Sequence, residues 1–333
     1  MTETIDRQRH PAPDTPPRVS IGLPVYNGER FIGQAIEALL TQTYRDFELI
    51  VCDNGSTDRT IDIIRQYAKR DPRLRFYQNP HNLGWWGNYN RAFELATGEF
   101  FMWNADDDLR APTFIERCLA PLEHDPWAIL CYAQTKLIDS QGCEIPRDAQ
   151  RRGYYIDHAG NLLRMRNAEP LDKRLDSPHL VDRFRDIVLK TNFCHEQYGL
   201  IRREVLAKTN LMQNYYGSDK AMLAQLSLLG RFTSVPEPLF SSRRHIEQSS
   251  NIVSARDRAI WSGATTKLKN SLRPRTMVFQ GCLEAALKTP MTPSERIACV
   301  WIVLRYLTVA DKWLMMFEEM TGWKKRKLLK HVS

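Results

Sequence analysis

The feature that most constrains the fold of this 333-residue chain is a regular alternation of strand-like and helix-like segments in its first hundred residues. Apolar, β-branched runs at residues 18–25, 47–52, 74–77 and 99–103 predict strands. Between these runs apolar residues recur at helical spacing, and clusters of Gly, Asn, Asp and Pro separate the segments. This order predicts an α/β fold in which helices cover both faces of a mostly parallel sheet.

The loops that follow the first, second and fourth predicted strands are polar. They comprise residues 24–27, 53–56 and 106–108. Right-handed crossovers place such loops along one edge of a parallel sheet, and ligands of open α/β sheets bind beyond the carboxyl ends of the strands. The sequence therefore predicts one crevice lined by these loops.

The third loop contains three consecutive carboxylates, Asp106, Asp107 and Asp108. Carboxylates this close repel one another unless a proton or a cation lies between them. Mg²⁺ or Mn²⁺ bound to a nucleotide diphosphate would suit the loop, because these cations accept a few carboxylates and leave positions for phosphate oxygens. The alternative is a solvated acidic turn that leads into a helix.

The rest of the chain continues the mixed pattern and then becomes helical. Periodicity and turn signals predict helices at about 112–124, 180–189 and 217–230, strands at 130–133, 135–138 and 232–240, and helices from 254 onward, with a long polar segment at 141–178. We interpret the chain as a disordered tail at 1–17, a domain at 18–255 and a basic helical C-terminal region at 256–333. Within the domain we place a nucleotide-binding half at about 18–110 and an acceptor half at about 111–255.

Charge and cysteine content narrow the functional classes. Residues 256–333 contain 15 basic and 6 acidic residues and so have a net charge of +9, whereas the preceding residues contain 32 basic and 33 acidic residues and have a net charge of −1. A nucleic-acid-binding protein would spread its positive charge over a binding face, so we expect no nucleic acid partner. The seven cysteines form no C-x-x-C pair, which favours reduced, buried thiols in a cytoplasmic protein over a disulfide framework or a zinc site.

Targeting signals are weak in this sequence. Residues 1–18 are polar and rich in Pro, so we expect no signal peptide. The longest apolar candidate, residues 297–317, is interrupted by Arg305, Asp311 and Lys312, so we expect no transmembrane helix.

Residues 21–27, 51–58 and 104–108 together resemble the corresponding motifs of family 2 glycosyltransferases, which have the GT-A fold. The resemblance extends over roughly residues 18–250. It implies an inverting, metal-dependent transfer of a sugar from a nucleotide-sugar donor to a hydroxyl acceptor, a glycan or a lipid-linked molecule, in polysaccharide or cell-surface glycan synthesis. It also implies Mn²⁺ or Mg²⁺ as the cofactor.

The resemblance assigns the first two loops to the nucleoside. Asp53 would accept a hydrogen bond from the base, which favours a UDP-sugar because uracil offers an N3–H, although thymine and guanine also offer an N–H. Pro24, Tyr26 and Asn27 would pack on the nucleoside. The alternatives are an Asx turn that begins at Asp53 and a plain strand-ending turn at Pro24.

The resemblance assigns the acidic loop to the metal and the donor. It favours Asp108 for direct metal ligation and Asp106 for the ribose or the metal, while Asp107 could exchange roles with either. The metal would stabilise the charge that develops on the leaving nucleoside diphosphate.

The second half of the site is expected between residues 195 and 245. Asp219, at the start of a predicted helix, would be the general base that deprotonates the acceptor. Related enzymes often have a Glu-Asp pair here, whereas this chain has Ser218 before Asp219. The alternative for Asp219 is a purely structural role as a helix N-cap or as an acid of the first helical turn.

Two further groups complete the expected site. Arg243 and Arg244 would bind the diphosphate, and His245 would bind the metal or phosphate. His195 and Glu196 would line the acceptor pocket, with an ordinary loop as the alternative.

The C-terminal region suggests a membrane contact. Apolar residues at 297–317 precede a basic cluster beside Trp323 at residues 324–330, a combination typical of helices at the surface of an anionic bilayer. Such a contact would suit a lipid-linked acceptor and would place the protein at the inner face of the membrane. The alternative is a helix that packs on the domain and has a solvated basic end.

Other functions fit less well. A nucleotidyltransferase usually has a Gly-rich, basic first loop for its triphosphate, which residues 24–27 lack. A dehydrogenase is disfavoured because no G-x-G-x-x-G motif follows the first strand. A non-catalytic homologue that binds nucleotide sugars or glycans remains open, because only one carboxylate stands at the expected base position.

Overall fold

The computed structural model describes residues 15–146, 154–156, 162–164, 172–245, 274–308 and 316. The described strands are β1 (Val19–Val25), β2 (Phe47–Asp53), β3 (Leu74–Gln78), β4 (Phe100–Trp103), β5 (Leu109–Arg110), β6 (Ala128–Ile138), β7 (Tyr154–Ile156), β8 (Leu162–Arg164), β9 (Leu200–Arg202) and β10 (Arg231–Arg243). The described helices are α1 (Ile32–Leu40), α2 (Thr60–Ala68), α3 (Gly84–Glu94), α4 (Phe114–His124), α5 (Leu180–Leu189), α6 (Arg203–Leu206), α7 (Ser218–Leu229), α8 (Pro274–Lys288) and α9 (Pro293–Tyr306).

Eight strands form one sheet in the order β3-β2-β1-β4-β9-β6-β10-β5, and β7 and β8 pair separately. The half made of β3, β2, β1 and β4 is parallel throughout. All side chains of β2 are buried, and they alternate between two cores. Leu49 and Val51 belong to the core that contains α1 and α4, whereas Ile50 and Cys52 belong to the core that contains α3, α5 and α7. The predicted parallel sheet with helices on both faces is therefore confirmed.

The other half of the sheet is mixed. β9 is antiparallel to both β4 and β6, and β10 is parallel to β6. β6 is one continuous strand where the sequence suggests a break, and β10 extends to Arg243, past the predicted end at 240. The two-residue strand β5, which the sequence pattern does not reveal, follows the acidic loop and pairs Leu109 with Ser241. This pairing joins the acidic loop to the end of β10.

The two described C-terminal helices pack on the domain. α8 lies against α7 and α9 lies against α5. Val278, Cys282, Val303 and Tyr306 are buried in the same core as α5 and α7. α9 begins with a capping box, in which the Thr292 hydroxyl accepts the Glu295 N–H and the Glu295 carboxylate accepts the Thr292 N–H. The helical character predicted for this region is confirmed for residues 274–288 and 293–306.

Some sequence-based expectations lie outside the described residues, namely the tail at 1–14, most of the polar segment at 147–171 and the basic cluster at 324–330. None of the described helices is both long enough and apolar enough to cross a bilayer. All seven cysteines are free, and Cys143 is exposed whereas the other six are buried. The expected burial therefore holds for six of the seven thiols, and Cys143 is the exception.

Candidate active site

A cavity of about 620 Å³ opens at the carboxyl ends of β1, β2 and β4. It is lined by residues of the first and third predicted loops, by much of the segment 191–198, by the first turn of α7, by residues 242–245 and by the C-terminal helices. The cavity therefore lies at the sheet edge where the sequence predicts the crevice, and it also includes chain segments that the sequence does not assign to it.

The first loop is held against the second by hydrogen bonds. Asn27 adopts a left-handed backbone with φ of 51°, and its Oδ1 accepts the Thr57 N–H at 2.8 Å. The Asn27 N–H donates to Ser56 Oγ at 2.8 Å. Pro24, Tyr26 and Asn27 all line the cavity, and Tyr26 is 48% exposed. Their predicted positions are therefore correct, and their contact with a nucleoside stays a prediction.

Asp53 forms the Asx turn that the sequence allowed as its alternative role. Its Oδ2 accepts the backbone N–H groups of Gly55 and Ser56, each at 3.1 Å. The side chain is fully buried and does not line the cavity. Recognition of the base by Asp53 therefore stays a prediction.

Asn54, Asn79 and Asn88 form a buried hydrogen-bonded network at the cavity wall, where Asn54 and Asn88 line the cavity. Asn54 belongs to the second predicted loop, but the network itself was missed by sequence reasoning. Asn54 Oδ1 accepts from Asn79 Nδ2 at 3.1 Å, and a second hydrogen of that amide donates to Asn88 Oδ1 at 2.8 Å. Asn88 Nδ2 in turn donates to the Cys52 carbonyl at 2.9 Å. Asn54 and Asn79 directly follow β2 and β3, so an amide side chain just after a buried strand was the available signal. The network fixes the ends of the strands that carry the first two loops.

The three carboxylates of the acidic loop all reach the cavity but have different surroundings. Asp108 is 4% exposed, and its Oδ1 accepts the Arg243 N–H at 2.8 Å. Asp107 Oδ2 lies 2.9 Å from His245 Nε2. Asp106 lies against Gly28, where an added Cβ would come within 2.5 Å of Asp106 Oδ2, so the close approach requires glycine.

Burial and mutual repulsion make the acidic loop unfavourable in its ionised form. Burial, followed by the charge of Asp107, raises the pKa of Asp106 to about 8. The same two causes raise the pKa of Asp108 well above its usual range. A bound cation would relieve both effects.

The donor set fits a divalent cation that is shared with a substrate. Asp106, Asp107 and His245 offer carboxylate and imidazole ligands at one side of the cavity. Within the described residues no three acidic, His or Cys side chains form a complete metal site. An incomplete protein shell is usual for Mg²⁺, which is held by one or two carboxylates plus substrate phosphates. Asp108, the ligand favoured by the resemblance, has one oxygen engaged by the backbone, and its metal contact stays a prediction.

The two adjacent arginines occupy different positions. Arg243 is fully buried and does not line the cavity. Its Nε donates to the Asp107 carbonyl at 2.7 Å, and its Nη2 donates to Gln34 Oε1 at 2.8 Å. Arg244 does line the cavity. Arg243 therefore holds the acidic loop and does not face the cavity, contrary to the diphosphate contact expected for it, whereas a diphosphate contact by Arg244 stays a prediction.

Asp219 lies in the first turn of α7 and lines the cavity. Gly217, which has φ of 90°, is the N-cap of this helix, so Asp219 is not the cap. Asp219 is an acid of the first turn, so the alternative of a first-turn acid that interacts with the helix dipole stays open, and its role as the base stays a prediction. Burial raises the pKa of Asp219, whereas the Lys220 N–H and a hydrogen bond from the Cys194 side chain oppose the rise. Cys194 also lines the cavity and has a left-handed backbone with φ of 53°. A carboxylate with a raised pKa in a cavity suits a general base.

The two residues expected in the acceptor pocket, both in the segment before β9, have different surroundings. His195 lines the cavity and stacks on Phe193, with ring centroids 5.7 Å apart. Glu196 is 2% exposed, does not line the cavity and forms an ion pair with Lys173. The structure therefore keeps His195 as a candidate acceptor contact and places Glu196 in a buried structural pair.

Part of the cavity wall comes from residues that sequence reasoning did not assign to the site. Pro274, Arg275 and Val278 of α8 and Tyr306 of α9 line the cavity. Tyr89 also lines it, and its hydroxyl oxygen lies 3.5 Å from that of Tyr198, which lines the cavity within the polar-aromatic segment 192–199 suggested by the sequence for the acceptor pocket. The helical period of α8 was visible in the sequence, but nothing local indicated which face would meet the cavity.

The fold and the loop-borne acidic site define a GT-A glycosyltransferase. The chain belongs to the family described as Glycosyl transferase family 2, whose profile matches residues 20–209. The recognised family, the GT-A fold and the enzyme class predicted from the motifs are therefore confirmed, and the nucleotidyltransferase alternative is set aside.

Relatives share sequence with this chain over different spans. An uncharacterized glycosyltransferase of Haemophilus influenzae is 26% identical over 239 residues, which cover 71% of this chain and 68% of the relative. The putative glycosyltransferase EpsE of Bacillus subtilis is 38% identical over 32% of this chain and 39% of its own length. A chondroitin synthase of Escherichia coli is 34% identical over 38% of this chain but only 18% of its own length.

Solved structures with the same fold cover most of the chain. TarS 1–349 of S. aureus aligns with a TM-score of 0.59 and 14% identity, over 91% of this chain and 79% of that chain. The mannosyltransferase PcManGT of Pyrobaculum calidifontis, in complex with GDP-Man and Mn²⁺, aligns with a TM-score of 0.55 and 18% identity, over 96% of this chain and 76% of that chain. At these identities the likeness establishes the shared fold.

Proposed function

We propose that the protein is an inverting, divalent-metal-dependent glycosyltransferase that moves a sugar from a UDP-sugar to a hydroxyl group of a glycan or lipid-linked acceptor. The observation that carries the proposal is that Asp219 shares one cavity with Asp106, Asp107 and His245. A candidate base and a candidate site for the metal and the diphosphate thus lie on different elements that line one cavity. A single displacement requires both groups to reach the same sugar.

The donor half of the proposal rests on the acidic loop and its neighbours. Asp106, Asp107 and His245 would hold Mn²⁺ or Mg²⁺, which supplies Lewis-acid assistance to the leaving nucleoside diphosphate. Arg244 would pair with a phosphate oxygen. Two structures of the same fold contain a nucleotide sugar. TarS has been solved in complex with UDP-GlcNAc, and PcManGT in complex with GDP-Man and Mn²⁺. These complexes support a nucleotide-sugar donor and a divalent cation.

The acceptor half rests on Asp219. Its carboxylate would take the proton from the attacking hydroxyl as the new bond to the anomeric carbon forms and the bond to the diphosphate breaks. Burial of Asp219 makes it a stronger base than a solvated carboxylate. Ser218, which stands where related enzymes often have a second acid, is fully buried, so Asp219 alone would serve as the base.

The acceptor class is supported by the relatives. Besides the chondroitin synthase, a hyaluronan synthase of Pasteurella multocida is 31% identical over 38% of this chain. Both names denote enzymes that make polysaccharides. We therefore place this protein in polysaccharide or cell-surface glycan synthesis, with the aromatic pair of Phe193 and His195 as the candidate acceptor surface.

The test is a panel of UDP-sugars and GDP-sugars with Mn²⁺ or Mg²⁺, in which slow hydrolysis of the donor is measured. We expect hydrolysis of one donor and its loss in Asp107→Asn. Asp219→Asn should bind the same donor but should lower transfer to an acceptor by roughly 10²- to 10⁴-fold. Asp62→Asn, an exposed acid on α2, is the matched control and should behave as wild type.

Calorimetry with the same donors measures binding and identifies the results that would contradict the proposal. If no donor binds, the proposed site is wrong. If a donor binds and neither water nor any supplied glycan accepts its sugar, the choice narrows to an enzyme that acts only with its own acceptor and the non-catalytic homologue that the single carboxylate left open.

A further inference from the structure

α9 is apolar on both of its faces. Its inner face packs in the core of the domain through Cys299, Ile302, Val303 and Tyr306. Its outer residues Ile297, Trp301 and Leu304 are 61%, 64% and 39% exposed. Helices that are apolar all round are normally covered on all sides, so the exposed side of α9 calls for a partner.

The exposed residues form one continuous surface. Positions 297, 301 and 304 follow the i, i+4, i+7 spacing of a single helix face. Leu287, at the end of α8, is 53% exposed, and the end of α8 lies beside the start of α9, because Arg296 donates from Nη1 to the Ala286 carbonyl at 3.0 Å. We call Leu287, Ile297, Trp301 and Leu304 the outer α9 face. Such contiguous exposed apolar surface typically marks an interaction site.

The two acids near this face are both engaged, and the remaining charges are positive. From Arg296 to Thr308 the sequence contains no acidic residue, and Arg305 is exposed. At the edge of the face, Lys288 is exposed, and Glu284 is paired with it. The nearby Glu295 carboxylate is held by the N-cap of α9. The surface therefore combines aliphatic groups and a tryptophan with cations at its edge.

The continuation of the chain is also cationic. It extends 25 residues past Thr308 and includes Lys312 and the basic cluster at 324–330. The region 256–333 as a whole has the net charge of +9 derived above. An exposed Trp and aliphatic side chains bordered by Lys and Arg match the interface of an anionic bilayer, where the indole ring lies at the headgroup level.

We propose that the outer α9 face docks on an anionic lipid surface, with Trp301 inserted at the headgroup level and Arg305 beside lipid phosphates. The docking surface is part of the folded domain and does not depend on the donor or on the metal. It also has a consequence for the site. Tyr306, at the C-terminal end of the same helix, lines the cavity, so docking would hold the cavity about one or two helical turns from the membrane-bound Trp301.

The test is flotation of the full chain with vesicles of phosphatidylcholine alone or of equal parts phosphatidylcholine and phosphatidylglycerol. We expect wild type to float with the anionic vesicles only, and less so as salt is raised. Trp301→Ser should lower the partition coefficient roughly tenfold. Trp127→Ser, at a tryptophan that is 72% exposed in the loop before β6, is the matched control and should float as wild type.

Three outcomes would overturn the proposal. Equal flotation of Trp301→Ser and wild type would show that the face is not the docking surface. Loss of flotation on neutralising residues 324–327, with no effect of Trp301→Ser, would assign binding to the tail alone. A wild-type dimer in light scattering that becomes a monomer in Trp301→Ser would show that a second copy covers the face. Unchanged thermal melting of each variant establishes that it is folded.

Discussion

At the scale of single residues, the decisive group is Asp219, whose surroundings act in opposite directions. Burial favours its protonated form, whereas the Lys220 N–H and the Cys194 side chain favour the carboxylate. Cys194 is held in this position at the expense of a left-handed backbone, which is uncommon for a residue other than glycine. We infer that Cys194 is a positioning residue for the base.

This arrangement predicts a pH dependence. A general base works only when it is ionised, so kcat should fall as the pH drops through the raised pKa of Asp219. Cys194→Ala removes a hydrogen bond to the carboxylate, so the acid limb of the profile should move to higher pH. Cys194→Ser keeps a donor at the same backbone conformation and should restore the wild-type limb. Identical acid limbs in all three proteins would remove Cys194 from this role.

Arg243 and Arg244 provide a second prediction at this scale. Arg243→Met would leave the Asp107 carbonyl and Gln34 without their buried donor, so the free energy of unfolding should fall by about 2–4 kcal/mol. Arg244→Met should change the unfolding free energy little but should raise the dissociation constant of the donor. Urea unfolding and donor titration distinguish the two. A reversed pattern, with Arg243→Met stable and deficient in donor binding, would contradict the assignment.

The same pair shows why the site was only partly predictable from sequence. Alternation along a strand indicates that two neighbouring side chains point to opposite faces, but not which of them faces the cavity. That choice depends on the register of β10 against β5 and β6. These strands pair with residues more than a hundred positions away in the sequence, so local patterns do not reveal the register. Glu196 was misplaced for a similar reason, because its partner Lys173 lies in a segment with no clear pattern.

At the scale of elements, local patterns were sufficient where the chain alternates regularly. β1 to β4 lie within a few residues of their predicted positions, and α1 to α3 lie between them as the helical spacing predicted. β5 was not predictable, since two residues carry no period and this strand exists only because β10 lies beside it. The packing of α8 on α7 could not be predicted from the sequence either, because it depends on close contacts at single glycines.

One such contact gives the prediction at this scale. A Cβ at Gly281 of α8 would lie 2.7 Å from Ala221 Cβ of α7 and 2.6 Å from the Tyr215 hydroxyl. The higher helix propensity of Ala is worth about 1 kcal/mol, but the side chain at Ala221 cannot move aside, so Gly281→Ala should destabilise the protein by about 1–3 kcal/mol. It should also displace the α8 wall of the cavity and raise KM.

Gly33 of α1 is the matched control for this prediction. There the nearest atom to an added Cβ is 3.7 Å away, so Gly33→Ala should stabilise the fold by up to about 1 kcal/mol. Thermal melting of both variants gives the comparison. If both substitutions stabilise the protein, α8 does not pack on α7 as closely as described.

At the scale of the whole molecule, the site joins distant parts of one chain. Loops that begin at residues 24 and 106, the start of α7 and residues 274–278 of α8 all line the same cavity. The order of strands predicted the donor side of this arrangement. The C-terminal wall could not be predicted, because the helical pattern of that region fits equally well with packing on the domain and with lying on a membrane.

The fold brings the carboxylates of the acidic loop together in a buried place. We therefore expect the arrangement that would bind a metal to lower the stability of the metal-free protein. Without a cation, the burial of Asp106 and Asp108 and their repulsion by Asp107 destabilise the fold, and a cation that binds only the folded state should raise Tm. Asp107→Asn removes one charge, so we expect a higher Tm than wild type in the presence of a chelator. The variant should also lose most of the Tm increase that Mn²⁺ and nucleoside diphosphate give to wild type. Asp62→Asn, on the surface, should change neither quantity. If Asp107→Asn lowers Tm in chelator and keeps the full response to Mn²⁺, the acidic loop is a structural element, and the proposed metal site is wrong.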